Sequence, residues 1–422
     1  MNKTILTKTL SLILVIAGSI ALTLGSGFLV STDTVSKEAT SKGESIETVY
    51  ADSIDAVEPR PLAEEVKLDT SAITPFYGER QAGVDTSVNL FQTFLGYNLD
   101  ESSRDLAQAA LVIITDDAAR LTQGEPALGD MEPEIAQEPA NLTVTVGLGG
   151  NFYNIIEKEK PEKLVVLPEF STDKLKPEWS QTDFVIQISS NDPLTLSHTI
   201  RMLNKSLENI ATMQWRQDGY VPVADAVEGS ESKRNLMGQV DGTVNPKPNT
   251  KEFNDMVWVT SDDATENNGT VMVLRRIKLL MDEWDTLDVA AQEGSIGRQR
   301  GSGAPIGGST ESEDIPLDKY DANGLPVIPL DSHARVARGD ADGPTIFRRP
   351  YNYDAGLVDG EIEFGQLFVI YANDLKAGFI PMQERIAQLD AFNEWNETIG
   401  SSVYFILPGA SEGEFIGEAL FE

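Results

Sequence analysis

The residues able to do chemistry are few and widely spaced. The chain has no cysteines and only two histidines, His198 and His333. Thiolate ligands, disulfides, iron–sulfur clusters and cysteinyl zinc are therefore excluded, and a transition-metal site can hold at most two imidazoles. His333 sits in Ser332–Arg335 (SHAR), whereas His198 falls beside the apolar stripe Ile200, Leu203, Leu207, Ile210 of a helical segment, a place that suits a structural histidine. Asp241, Gly242 and Thr243 lie within Asn235–Pro246 (NLMGQVDGTVNP), where Asp-Gly is first of all a turn signal. Arg348 and Arg349 stand together in Ile346–Tyr353 (IFRRPYNY), and alone they read as a solvated basic pair. Gly294–Gly308 (GSIGRQRGSGAPIGG) is dense in glycine and carries Arg298 and Arg300. Glycine permits close backbone approach, and paired arginines suit carboxylates or phosphates. The loop has no Walker lysine and opens no clear helix after a strand, which argues against a nucleotide site.

Composition narrows the partners. Acidic residues number 67 against 33 basic ones, leaving a formal charge of −34 over 422 residues. Such a field repels nucleic acid and anionic lipid, so neither is expected as a partner. Its plain meaning is a solubilising surface; attraction of cationic ligands or iron is the alternative. Lys3 and Lys8 precede a largely apolar stretch, Leu10–Val30, without a twin arginine. Residues 1–31 thus read as a Sec-type export signal or an uncleaved N-terminal anchor. Residues 32–70 are polar and acidic without periodicity, the pattern of a flexible tether.

The elements that must position these residues follow from periodicity. Leu142–Leu148 alternates as a half-buried strand, and Asp183–Ser189 is a second strand running through Asn191-Asp192-Pro193 into a helix. Val271–Leu280, Gln366–Ala372 and Ser402–Leu407 read as further strands, and Met382–Trp395 as a helix. Phe184–Gln187 leads to Asn191-Asp192 and a helix, and Phe368–Tyr371 leads to Asn373-Asp374 and a helix. That echo suggests duplicated α+β units.

Taken in order, the motifs resemble the dye-decolorizing haem peroxidases. Gly238, Asp241, Gly242 and Thr243 match the family's G-x-x-D-G-T signature. Pro75–Gly83 (PFYGERQAG) resembles the opening segment of secreted members, with Arg80 where histidine is usual. Leu164–Ser190, Gly297–Gly307, the SHAR segment, Ile346–Tyr353 (with Pro350 for the usual glycine), Gln366–Ala387 and Ser402–Gly409 continue the likeness to the C-terminus. The nearest likeness is to the exported peroxidases that accompany bacterial ferrous-iron uptake, also described as deferrochelatases.

The resemblance implies two ferredoxin-like α+β domains with antiparallel sheets, residues 71–234 and 235–422, with haem b bound mainly by the second. It implies His333 as the axial iron ligand, an economical choice for a chain with so few imidazoles. Asp390 behind the ring is the expected carboxylate partner, with Glu394 as the alternative. Asp241 would move peroxide protons and Arg348 would stabilise the departing oxygen. Gly242 and Thr243 would belong to the cofactor site, Arg298 and Arg335 would face haem propionates, and Leu367 and Phe368 would wall the distal pocket. Implied partners are haem, hydrogen peroxide, an organic electron donor and components of an iron-uptake permease, in the cell envelope or outside it. A homo-oligomer stays open. Iron removal from haem, or haem delivery without turnover, could use the same site.

Overall fold

A computed structural model describes residues 68–222, 233–241, 245–339 and 346–422. The expected signal or anchor (1–31) and nearly all of the expected tether (32–70) lie outside the described residues. Among the described residues no helix is long and apolar enough to cross a membrane.

The first half alternates strands and helices: β1 (Phe91–Leu99), α1 (Arg104–Thr122), β2 (Thr143–Leu148), α2 (Gly150–Ile155), β3 (Phe184–Ser190), α3 (Pro193–Ser206) and β4 (Ala211–Tyr220). Local chemistry sets the helix starts. Ser103 accepts from Leu106 N at the head of α1, and Asp192 accepts from Thr195 N at 2.7 Å ahead of Pro193 in α3. Helical spacing buries Ala107, Ala110, Leu111, Ile114, Ala118 and Leu121 on one face of α1.

The second half opens with a hairpin, β5 (Lys233–Arg234) and β6 (Val240–Asp241), then α4 (Lys251–Val257), β7 (Thr270–Leu279), α5 (Val289–Ile296) and α6 (His333–Arg338). It continues with β8 (Phe347–Arg348), β9 (Tyr351–Val358), β10 (Glu361–Ala372), α7 (Phe379–Leu389) and β11 (Asn396–Ile406).

One antiparallel sheet contains nine of these strands, in the order β7-β11-β2-β3-β1-β4-β9-β10-β8, and a further β7–β10 pairing closes it. The result is a barrel with β8 attached to β10. Counting strands within each half and setting β8 aside, β2-β3-β1-β4 and β9-β10-β7-β11 have the same internal order. The echo seen in the sequence falls on β3–α3 and β10–α7, which occupy the same place in the two runs. The halves meet at two seams. β11 pairs with β2 through Phe405↔Leu148 and Ile406↔Gly147, and β4 pairs with β9 through Tyr220↔Asn352 alone. Buried Gln81 straps the first seam: its Nε2 donates to Val146 O and Leu407 O, each at 3.0 Å, and its Oε1 accepts from Val146 N.

Strand alternation gives the sheet two apolar faces. The inner one collects Phe94, Trp215, Leu274, Tyr353, Leu367, Val369, Tyr371 and Tyr404; the outer one lies under α1, α3 and α7. Each large apolar side chain so buried contributes roughly 1.5–3 kcal/mol. Trp215 fits because Gly96 faces it, where a Cβ would meet the indole at 2.3 Å. Inside the barrel the Arg276 guanidinium lies 3.7 Å over Trp179 and donates to Glu363 at 2.6 Å. Burial is the main reason the neighbouring Tyr353 phenol is pushed above its ordinary value.

Candidate functional site

Five segments converge near His333. The ring begins α6, one residue after Ser332, which is fully buried and donates to Pro329 O at 2.9 Å. Gly297, at φ +85°, ends α5 against this turn, where a Cβ would meet Ser332 Oγ at 2.8 Å. The far end of α6 is held by Arg385 of α7, which donates to Val336 O and Ala337 O at 3.3 and 3.1 Å. Arg338 donates to Asp314, and that hydrogen bond is the chief reason the Asp314 carboxyl sits below its ordinary range.

The ring's Nδ1 donates to Asp390 Oδ2 at 2.5 Å, and the Asp390 side chain is fully buried. The sequence pattern predicts one helix over Met382–Trp395. The helix instead stops at Leu389, Asp390 is extended, and a tighter turn follows over Ala391–Trp395. The break has a physical cause. Asp390 Oδ1 accepts from Phe392 N at 2.9 Å and caps the new turn, while Oδ2 meets the histidine. Glu394, the alternative partner, is exposed. Phe392 lies 5.4 Å from the imidazole and 5.9 Å from buried Trp284, which also meets Trp395 at 5.5 Å.

Arg348 lies on β8. Its backbone N donates to Asn245 Oδ1 at 3.1 Å, and Asn245 Nδ2 donates back to Arg348 O at 2.7 Å. This reciprocal clasp ties the Asp241 segment to the arginine strand. In the sequence Asn245 only flanks the signature, and its bonds to Arg348 are made by the fold. The Asp241 backbone pairs with Lys233 in the β5–β6 hairpin. Arg234 donates to Gly238 O and Arg300 O and so fastens that hairpin to the glycine-rich loop. The side chain of Asp241, and Gly242 and Thr243 altogether, lie outside the described residues.

Three expectations change. Leu367 and Phe368 cannot wall one pocket, because successive strand residues face opposite ways. Leu367 points into the barrel beside Trp179, Trp215 and Arg276, whereas Phe368 packs on the outer face. β8 pairs Arg348 with Ile370, so Arg348 shares the face of Phe368. Arg298 and Arg335, expected at propionates, bond backbone carbonyls. Arg298 Nη1 donates to Gly303 O and Glu311 O, and Arg335 to Ile328 O and Leu317 O. Arg349 is not a solvated partner of Arg348 but is 3% exposed, with its guanidinium on Val84 O, Thr86 O and Ser87 O.

A buried carboxylate on Nδ1 fixes the tautomer and makes Nε2 the nitrogen that an iron ion would take, which is the donor chemistry haem needs. His198 is 3% exposed and faces Asp130.

Residues 81–221 match the family model "Dyp-type peroxidase, N-terminal" and residues 232–411 match "Dyp-type peroxidase, C-terminal". The chain is similar to the dye-decolorizing peroxidase of Thermobifida fusca (strain YX), 38% identical over 333 residues, 76% of this chain and 77% of that protein. It is similar to the deferrochelatase of Escherichia coli (strain K12), 30% identical over 369 residues, covering 82% and 86% of the two chains. The crystal structure of a DyP-type peroxidase from Cellulomonas bogoriensis superposes with a TM-score of 0.80 at 38% identity, covering 84% of this chain and 99% of that one. With both family models matched along its length, the chain belongs to the dye-decolorizing (Dyp-type) peroxidase family.

Proposed function

We propose that the protein is a haem b peroxidase that reduces hydrogen peroxide to water with two electrons drawn from organic donors. The observation that carries this is the Nδ1 contact of His333 with buried Asp390, 2.5 Å long. His333 would hold the iron through Nε2, and Asp390 would make the imidazole more anionic. Haem, when bound, supplies the redox chemistry. The Asp241 carboxylate takes the proton from one peroxide oxygen and returns it to the other. The Arg348 guanidinium stabilises negative charge on the departing oxygen, with Phe368 on its face of the sheet. Gly242 and Thr243 complete the cofactor site.

The shared strand order supports reading residues 71–234 and 235–422 as two ferredoxin-like domains, with haem held mainly by the second. The apolar segment after Lys3 and Lys8 supports action outside the cytoplasmic membrane, with haem iron and permease components as companions in uptake. Likeness to a deferrochelatase favours one second reading, release of iron from haem with the porphyrin intact.

Haem reconstitution followed by peroxide-dependent dye oxidation tests the proposal. Dye turnover that disappears without peroxide supports it. Free, fluorescent protoporphyrin with negligible peroxide turnover favours iron release.

A further inference from the structure

The other histidine belongs to a second cluster. On α3, His198, Arg201 and Lys205 recur at helical spacing and reach the loop that follows α1. Lys205 Nζ donates to Gly129 O at 2.7 Å, Arg201 donates to Glu132 Oε2, and His198 Nε2 faces Asp130. These contacts fix a helix and a loop against each other around one small volume.

The Asp130 carboxylate is out of balance. Its side chain is fully buried beside a His198 side chain that is 2% exposed. Oδ1 accepts from Glu132 N at 2.9 Å and lies 3.2 Å from His198 Nε2. Oδ2 lies 3.1 Å from the same nitrogen but has no hydrogen-bond partner among the described residues. Buried Asp117, close by on α1, also has an oxygen without a partner. A proton on Nε2 can serve Oδ1 but leaves Oδ2 without a donor, and a buried carboxylate oxygen with no donor is costly. A cation held between Nε2 and Asp130 would engage both groups.

We infer that His198 Nε2, an Asp130 oxygen and a Glu132 oxygen form a site for a divalent first-row transition ion, separate from the haem ligand. The three donor atoms already lie within 4.8 Å of one another. Zinc arms of about 2.0–2.2 Å put neighbouring tetrahedral donors roughly 3.4 Å apart. Asp130 and His198 need to open by only a few tenths of an ångström, and half-exposed Glu132 can rotate in. One imidazole with two carboxylates is a borderline-to-hard set suited to zinc, manganese or ferrous ions, with water completing the sphere. A chain charge of −34 draws cations toward it.

The test uses the full chain loaded with haem, so that His333 is occupied, and titrates zinc chloride by calorimetry while melting temperature is followed. One saturable equivalent with a raised melting temperature is expected. His198→Ala and Asp130→Asn should each weaken binding by about tenfold or more, since even outer-shell changes cost that much. Glu132→Gln, at a half-exposed position that tolerates change, should weaken it less but measurably. Absence of saturable binding overturns the inference and leaves a simple ion pair. Binding undiminished in both His198→Ala and Glu132→Gln overturns it equally.

Discussion

His333 meets its aspartate through Nδ1 from a ring 35% exposed, while His198 meets its aspartate through Nε2 from a ring 2% exposed. Both aspartate side chains are fully buried, so burial of the carboxylate does not separate the two sites. The engaged nitrogen does. With Nδ1 engaged, the imidazole directs Nε2 outward along the ring axis, where a large planar cofactor can take it. With Nε2 turned inward between a helix and a loop, against a buried carboxylate, that nitrogen is not presented to a macrocycle. The elements differ in kind as well. His333 starts a six-residue helix braced by Gly297 and Arg385, and His198 sits mid-helix on a fourteen-residue one. Two chemically similar pairs thus acquire different capacities from the direction in which the backbone presents the ring.

The most severe break in this comparison is His333→Ala, which should abolish the haem Soret spectrum, whereas His198→Ala should leave it nearly intact. Absorbance after reconstitution decides this, and the opposite pattern would exchange the two roles. Next in size, Asp241→Asn and Arg348→Leu should keep haem but slow the reaction with peroxide by about 10²–10⁴-fold. Stopped-flow mixing measures it, and unchanged rates in both variants would remove them from the distal side. Asp390→Asn should cost about 10–100-fold in activity and move the ferric/ferrous potential positive, because a less anionic imidazole stabilises ferric iron less. A spectroelectrochemical titration that shows no shift would reduce Asp390 to a turn cap. The smallest effect is His198→Ala on stability in the presence of chelator. Loss of the partner of buried Asp130 should cost roughly 1–3 kcal/mol, read by urea unfolding.

Much of this arrangement was legible beforehand. β2, β3 and α3 were placed by their apolar runs, the Asp192-Pro193 start and helical spacing, although β2 is buried on both faces rather than half-buried, and the family resemblance offered Asp390, with Glu394 as the alternative, as the carboxylate behind His333. What stayed hidden depends on contacts distant in sequence. β1 contains Gly96, which looks like a strand breaker until Trp215 is found packed on it. β4 buries Gln217 beside Trp215, so its inward face does not read as apolar. Leu367 and Phe368 are adjacent letters on opposite faces of β10, and adjacency suggested a shared wall that the pleat forbids. Arg298 and Arg335 looked available to anions because a sequence does not display the carbonyls their loops would aim at them. The helix break at Asp390 is a local event, but its second bond goes to a residue far upstream.

The strap of Gln81 across the β2–β11 seam has a kinetic consequence. The barrel joins strands from near the start of the described chain to its last strand, and contacts between distant chain segments form late. As the chain is synthesised, β1 to β4 can pair with one another at once, but β2 must wait for β11 before its outer edge is covered. During that wait β2 presents unpaired backbone, which is the kind of edge that recruits another chain. Gln81 bonds to β2 at Val146 and to Leu407 just past β11, so its bonds to the two sides complete only when the ring does. Removing the last strand would therefore leave the nascent protein open to association between copies.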